Sequence, residues 1–170
     1  MKKIAAIFTI CLAIGIPMTM ILNSTSVAKE DKISTVFMEE SLEIGTLSMY
    51  TTHFSTKPII RSTDNTETKA NGTYWIIPMH IQNNGGKSQV ADTLSFKIIT
   101  PDGTEYEPNV AAIQYLDDKG TAFTESIVPG EEAKGYVIFD VPQELLPYTC
   151  TLQITGSNAD SGTIFLTTRN

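Results

Sequence analysis

Large apolar residues recur at every second position through most of the chain, and the clearest run is Gly72 to Gly86, GTYWIIPMHIQNNGG. Trp75, Ile77, Met79 and Ile81 share one parity, so a strand here lays a continuous apolar row on one face. The Asn-Asn-Gly-Gly that follows supplies residues tolerant of positive φ, which predicts a tight turn. On the other parity stand Tyr74, Ile76, Pro78 and His80, a mixed set.

Around this run the pattern predicts further short strands. From Ser41 to Tyr50 the apolar parity switches, from Leu42 and Ile44 to Leu47 and Met49, and Gly45 at the switch predicts a β-bulge. The stretch 55–71, STKPIIRSTDNTETKAN, is polar and Thr-rich and reads as a long solvated loop. Leu94, Phe96 and Ile98 alternate with Ser95 and Lys97 as a strand, and Pro101-Asp102-Gly103-Thr104 predicts a hairpin of primed turn geometry into a short strand that Pro108 stops. Residues 109–125 are irregular, either a short strand or a single helical turn. Val128-Pro129-Gly130-Glu131 is a turn feeding the strand Gly135 to Pro142, where Val137, Phe139 and Val141 face one way and Tyr136, Ile138 and Asp140 the other. Strands over Tyr148–Thr155 and Gly162–Thr168, the latter with Ile164 and Leu166 inward, close the chain. Seven to eight short alternating strands separated by turns predict an all-β protein, an antiparallel two-sheet sandwich.

The N-terminus breaks this pattern. Met1-Lys2-Lys3 is basic, Ile4 to Leu22 is apolar apart from Thr9, Pro17 and Thr19, and Ser26-Val27-Ala28 places small residues before a cleavage point. Residues 1–28 therefore read as a signal peptide, with an uncleaved membrane anchor as the alternative, because the apolar run approaches the length that spans a bilayer. Either way the domain faces outside. Cys11 follows Ile10 rather than a small residue, which argues against a lipoprotein. Residues 29–40 are expected to form a flexible lead-in, and 41–170 the sandwich.

Charge and cysteine content narrow the partners. The chain has 12 Lys and Arg against 19 Asp and Glu, and without Lys2 and Lys3 the net charge is −9. An acidic surface argues against nucleic acid and anionic lipid as partners, leaving membrane contact only through a retained N-terminal segment. Loss of the leader also removes Cys11, so Cys150 has no partner for an internal disulfide and stability rests on the core. Cys150 alternates with Leu152 and Ile154 and reads as a small buried residue.

Taken in order, Leu42-Glu43-Ile44-Gly45, Gly72-Thr73-Tyr74-Trp75 through Ile81-Gln82-Asn83-Asn84-Gly85, Phe96-Lys97-Ile98 with Asp102-Gly103-Thr104-Glu105-Tyr106, Val128-Pro129-Gly130-Glu131 and Gly135 to Pro142 resemble the secreted immunoglobulin-like β-sandwich domains of Gram-positive bacteria. That group is a domain of unknown function, related in fold to a secreted mycobacterial immunoprotective antigen. The resemblance spans about Ser41 to Thr168. It implies a sandwich, export and often a lipid anchor, from which the Cys11 context departs, and it implies no catalytic residue set.

Candidate chemistry is sparse. His53 and His80 could form a two-histidine zinc site only with carboxylates from elsewhere, and half-buried or surface histidines are the simpler reading. Asp117-Asp118 lacks the alternating oxygen ligands of a calcium loop, and Glu131-Glu132 reads as a solvated turn. No nucleophile elbow, phosphate loop or Cys-x-x-Cys occurs, so neither an enzyme nor a cofactor is expected. What remains is surface: Tyr74, Ile76, His80, Tyr136 and Ile138 form an outward parity more apolar than a solvated face, either a docking face for an extracellular protein or peptide, or a face covered by residues 55–71, by 109–125 or by the second sheet. The expected function is a non-catalytic binding module at the cell envelope; a secreted small-ligand or metal-binding sandwich is the alternative.

Overall fold

The computed structural model describes residues 33–116, 123 and 125–169. The leader, Cys11, the start of the lead-in and Asp117-Asp118 lie outside the described residues. Twelve strands run through the described chain: β1 Ser34–Phe37, β2 Leu42–Ile44, β3 Leu47–Thr51, β4 Ser55–Arg61, β5 Glu67–Asn83, β6 Gln89–Val90, β7 Ser95–Ile99, β8 Glu105–Tyr106, β9 Ser126–Ile127, β10 Glu132–Val141, β11 Thr151–Thr155 and β12 Ser161–Phe165. One sheet has the order β1-β12-β11-β7-β8; the other is β10-β5-β3-β2 with β4 also paired to β5; β6 and β9 form a small ribbon. The result is a β-sandwich with more strands than the sequence pattern shows. Apart from the parallel β1–β12 pair, every strand pairing is antiparallel.

The inner core lies between the sheets. Trp75, Ile77, Met79 and Ile81 of β5 meet Val137, Phe139 and Val141 of β10, and Phe96, Ile98, Leu152, Ile154 and Ile164 come from the facing sheet. Cys150 is fully buried in this cluster, and burial pushes its thiol pKa above the ordinary value. Each such large side chain withdrawn from water contributes about 1.5–3 kcal/mol.

Several local expectations are corrected. The parity switch at Gly45 is a tight hairpin rather than a bulge: Ile44 pairs Leu47, and Gly45 at φ 60° sits at the first turn position, the place for glycine in a type II′ turn. A two-residue loop puts both flanking residues on one face, so Leu42, Ile44, Leu47 and Met49 are all buried. Residues 55–71 are a hairpin, β4 turning into β5, closed where Asp64 Oδ1 accepts from Thr66 N (2.9 Å) and Thr66 Oγ1 (2.6 Å), with Asn65 at φ 67°. The 100–104 turn is not primed, since of its residues only Gly103 has positive φ (84°); Pro101 is confined to φ near −65° and cannot enter a primed turn. Residues 34–37 of the expected lead-in are strand β1, held where Phe37 packs on Phe165 (centroids 5.2 Å) and Arg169 lies 4.9 Å above the Phe37 ring while pairing with Glu40.

Pro78 lies inside β5, yet it falls where the strand's neighbour on that side changes, Met79 pairing Thr51 of β3 and Ile76 pairing Ser55 of β4. A residue that cannot donate to a ladder is tolerated at such a junction. At the end of β5, Asn83 is buried and fully bonded: Nδ2 donates to Lys87 O and Ile127 O (2.8 Å each), and Oδ1 accepts from Gly85 N (2.9 Å).

Candidate functional site

The outward parity of β5 and β10 comprises two different surfaces. Register pairs Tyr74 with Asp140, Ile76 with Ile138, Pro78 with Tyr136 and His80 with Lys134, so each row lies on one face. At the Tyr74 end the rows are apolar, and a 3₁₀ segment, Val110–Tyr115, lies over them. Its start is fixed by Asn109, whose Oδ1 accepts from Ala112 N (3.2 Å) and whose own N–H donates to Ile138 O (2.6 Å). Ala112 is buried against Tyr74, Ile76, Ile138, Ile60 and Ala70. Tyr74, Ile76 and Ile138 are 2%, 4% and 0% exposed. The expected docking face is therefore, at these three residues, a second core: apolar side chains on both faces of a central strand need cover on both faces, and residues 110–115 supply the outer one.

His80 and Tyr136 remain half-buried. Tyr50 of β3 stacks on His80 (centroids 4.5 Å, 14° between planes). Because a carboxylate only accepts, His80 Nδ1–H donates to Glu132 Oε1 (2.9 Å); the Tyr50 hydroxyl donates to the same oxygen (3.4 Å), and Lys134 Nζ lies 3.2 Å from Oε2. Burial raises the Glu132 carboxyl pKa, but the hydrogen bonds and charges of His80 and Lys134 outweigh it and hold the group below its ordinary value of 4.5. Glu132 thus belongs to β10 and to a side-chain cluster, not to the solvated turn its Glu-Glu sequence predicts.

Exposed His53 lies in the 52–54 connection between β3 and β4. No three His, Cys, Asp or Glu side chains converge as a metal site among the described residues.

A smaller and a wider cleft are among those that border the second core. The smaller, about 220 Å³, lies between β4 and the end of the 3₁₀ segment and is lined by Ser55, Lys57, Ile60, Arg61, Ile76, Tyr115, Leu116 and Tyr136. A bulge between Lys57 and Ile59 shifts the parity of β4, so that Lys57, opposite Tyr74, and Ile60, opposite Thr68, both face this side. Arg61 is held by Glu67 (Nε–Oε2 2.9 Å), whereas Lys57 has no carboxylate partner among the described residues. The wider cleft, about 900 Å³, runs between Asn71-Gly72, Pro108–Ala111 and Asp140–Glu144. There Asp140 accepts from Asn71 N and Nδ2 (2.9 Å each) and Gly72 N (3.1 Å). Of the five residues named from the sequence, Ile76 and Tyr136 line the smaller cleft. Lys57, Tyr115 and the Tyr50–Glu132 pair were not legible, because their position depends on pairing partners 17 to 82 residues away in sequence; only Lys57 preceding Pro58 on a polar strand carried a local signal.

Fold and face together define a largely antiparallel β-sandwich domain, one sheet of which carries a second, outer core. The chain belongs to the family described as a domain of unknown function, DUF4352, which matches residues 37–163. Among solved structures it is similar to an uncharacterised β-sandwich protein of Clostridium difficile (17% identity, 80% of this chain and 95% of that one, TM-score 0.51). A conserved hypothetical protein of Bacillus anthracis shares the fold at 11% identity over 75% and 93% of the two chains, with TM-score 0.58. So does MPT63, a secreted protein of Mycobacterium tuberculosis, at 16% identity over 78% and 97%, with TM-score 0.55. No curated protein matches the chain. Among the described residues no helix is long and apolar enough to cross a membrane.

Proposed function

We propose that this domain is a non-catalytic binding module that works outside the cell or at its envelope, with another protein or a peptide as partner. The observation that carries the reading is the smaller cleft, where apolar Ile60 and Ile76, two tyrosines and a lysine without a carboxylate partner among the described residues meet beside an edge strand. Such a mixture of aromatic, apolar and charged groups suits recognition rather than bond-making. Export rests on the basic and apolar character of residues 1–28, and a secreted protein of the same fold supports it.

The test is capture from the native cell surface with the purified, C-terminally tagged protein as bait, followed by amide exchange on the bait with its captured partner. Slowed exchange in β4 and β10 is the expected result. Retention of nothing beyond what an unrelated β-sandwich retains would end the reading. A small ligand in the wider cleft is the second reading, favoured by a volume within the roughly 300–1,000 Å³ of small-molecule sites. It predicts a ligand-dependent rise in melting temperature that a bulky replacement, Ala111→Trp, removes.

A further inference from the structure

The lining of the smaller cleft specifies more than a partner in general. Among the described residues its lining combines buried Ile60 and Ile76 as an apolar floor, half-buried Tyr115 and Tyr136, and two charged side chains, Lys57 and Arg61, both cationic. In a chain of net charge −7 that is a local reversal of sign. Glu67 neutralises Arg61, which leaves the ammonium of Lys57 as the group awaiting an anion among the described residues. At about 220 Å³ the space is smaller than the roughly 300–1,000 Å³ that encloses a whole drug-sized ligand, and suits one side chain with an attached anionic group.

Resting on the binding-module reading, we infer that the cleft receives the C-terminus of a polypeptide: the last residue's apolar side chain lies over Ile60 and Ile76 between the tyrosines, and its α-carboxylate pairs with Lys57. A chain end fits better than a free acid because β4 pairs only with β5 among the described residues and exposes Ser55 to Ile59. The residues preceding the terminus therefore have a surface to lie on. Pro58 and the bulge interrupt that edge, so the anchor is the terminal residue rather than an added strand. Pairing a charged donor with a carboxylate at a half-covered apolar site gives discrimination of about tenfold between a free and a blocked terminus.

The experiment is a fluorescence-anisotropy titration of the purified protein with hexapeptides ending in Phe or Leu, each made as the free acid and as the C-terminal amide. The free acids are expected to bind about tenfold more tightly than the amides. Lys57→Glu should abolish the difference at unchanged melting temperature, since the side chain is exposed, while Lys57→Arg should retain it. Phenylacetate is the competitor that separates a chain end from a free acid; displacement at concentrations equal to the peptide's would overturn the assignment to a chain end. Equal binding of acid and amide, or no binding of either, would overturn the inference. A partner captured from cells that protects a different face would leave the binding-module reading standing while this inference failed.

Discussion

At the scale of single residues, the most constrained position is Asn83. Its side chain satisfies two carbonyls and one amide, and its own backbone N–H and C=O bond Glu131 and Gly130, so one buried amide ties the end of β5 to the turn before β10 and to the connection after it. Asn83→Leu strands one buried carbonyl, Ile127 O, and removes two part-buried bonds, and should cost about 2–3 kcal/mol; Asn83→Asp should cost at least as much, because a carboxylate would face two carbonyl oxygens. Urea unfolding measures both. Glu132 supplies a prediction in pH. Its pKa is lower folded than unfolded, so its contribution to stability is complete above the unfolded value near 4.5 and is lost as pH falls through the folded value. Stability of the native protein should therefore decline below about pH 4.5 more steeply than that of Glu132→Gln, as read from urea midpoints across pH 3 to 6. Parallel pH profiles would remove Glu132 from the account.

At the scale of elements, what could be read from the sequence followed the strength of local periodicity. The apolar rows of β5, β7, β10, β11 and β12 are period-two and strand-limited, and their inward residues match the observed inner core. Turns with an internal chemical cause were legible in part: Pro129-Gly130 places glycine at φ 82°, as a type II turn requires, whereas Asn83-Asn84-Gly85-Gly86 turns without the expected positive φ, Asn83 Oδ1 accepting from Gly85 N instead. Edge elements were harder to see. β1 has only Val36 and Phe37 as large side chains, and β4 is exposed except at Ile60, so neither shows the alternation of a strand with one face on a core. Gly45 was ambiguous for a different reason, since a bulge and a two-residue turn both reverse parity and only pairing distinguishes them. The candidate site inherits this limit: Ile76 of its floor was visible in sequence, whereas the placing of Ile60 and of cationic Lys57 depends on a bulge in an edge strand. One glycine is constrained by an element's closeness to its neighbour. A Cβ on Gly72 would lie 2.1 Å from Val141 O, and the residue's N–H is bonded to Asp140, so β5 and β10 approach here too closely for a side chain. Gly72→Ala should cost about 1–3 kcal/mol in unfolding and quicken amide exchange at the Val141 end of β10. An unchanged midpoint would mean that the strands can separate without loss.

At the scale of the whole molecule, the described domain is built in three layers rather than two: a sheet, a second sheet whose β5 and β10 are apolar on both faces, and the 110–115 segment laid over the outside of the second. The outer cluster answers why Tyr74, Ile76 and Ile138 are so apolar, and it leaves the clefts at its margins as the open parts of this face. That organisation is the central claim, and Ile76→Ala tests it most directly by urea denaturation of the purified protein. If Ile76 belongs to a closed second core, truncation leaves a cavity and lowers stability by about 2–5 kcal/mol. If stability stays within about 0.5 kcal/mol of the native protein, as for an exposed surface residue, the outer face is open and the three-layer account is contradicted.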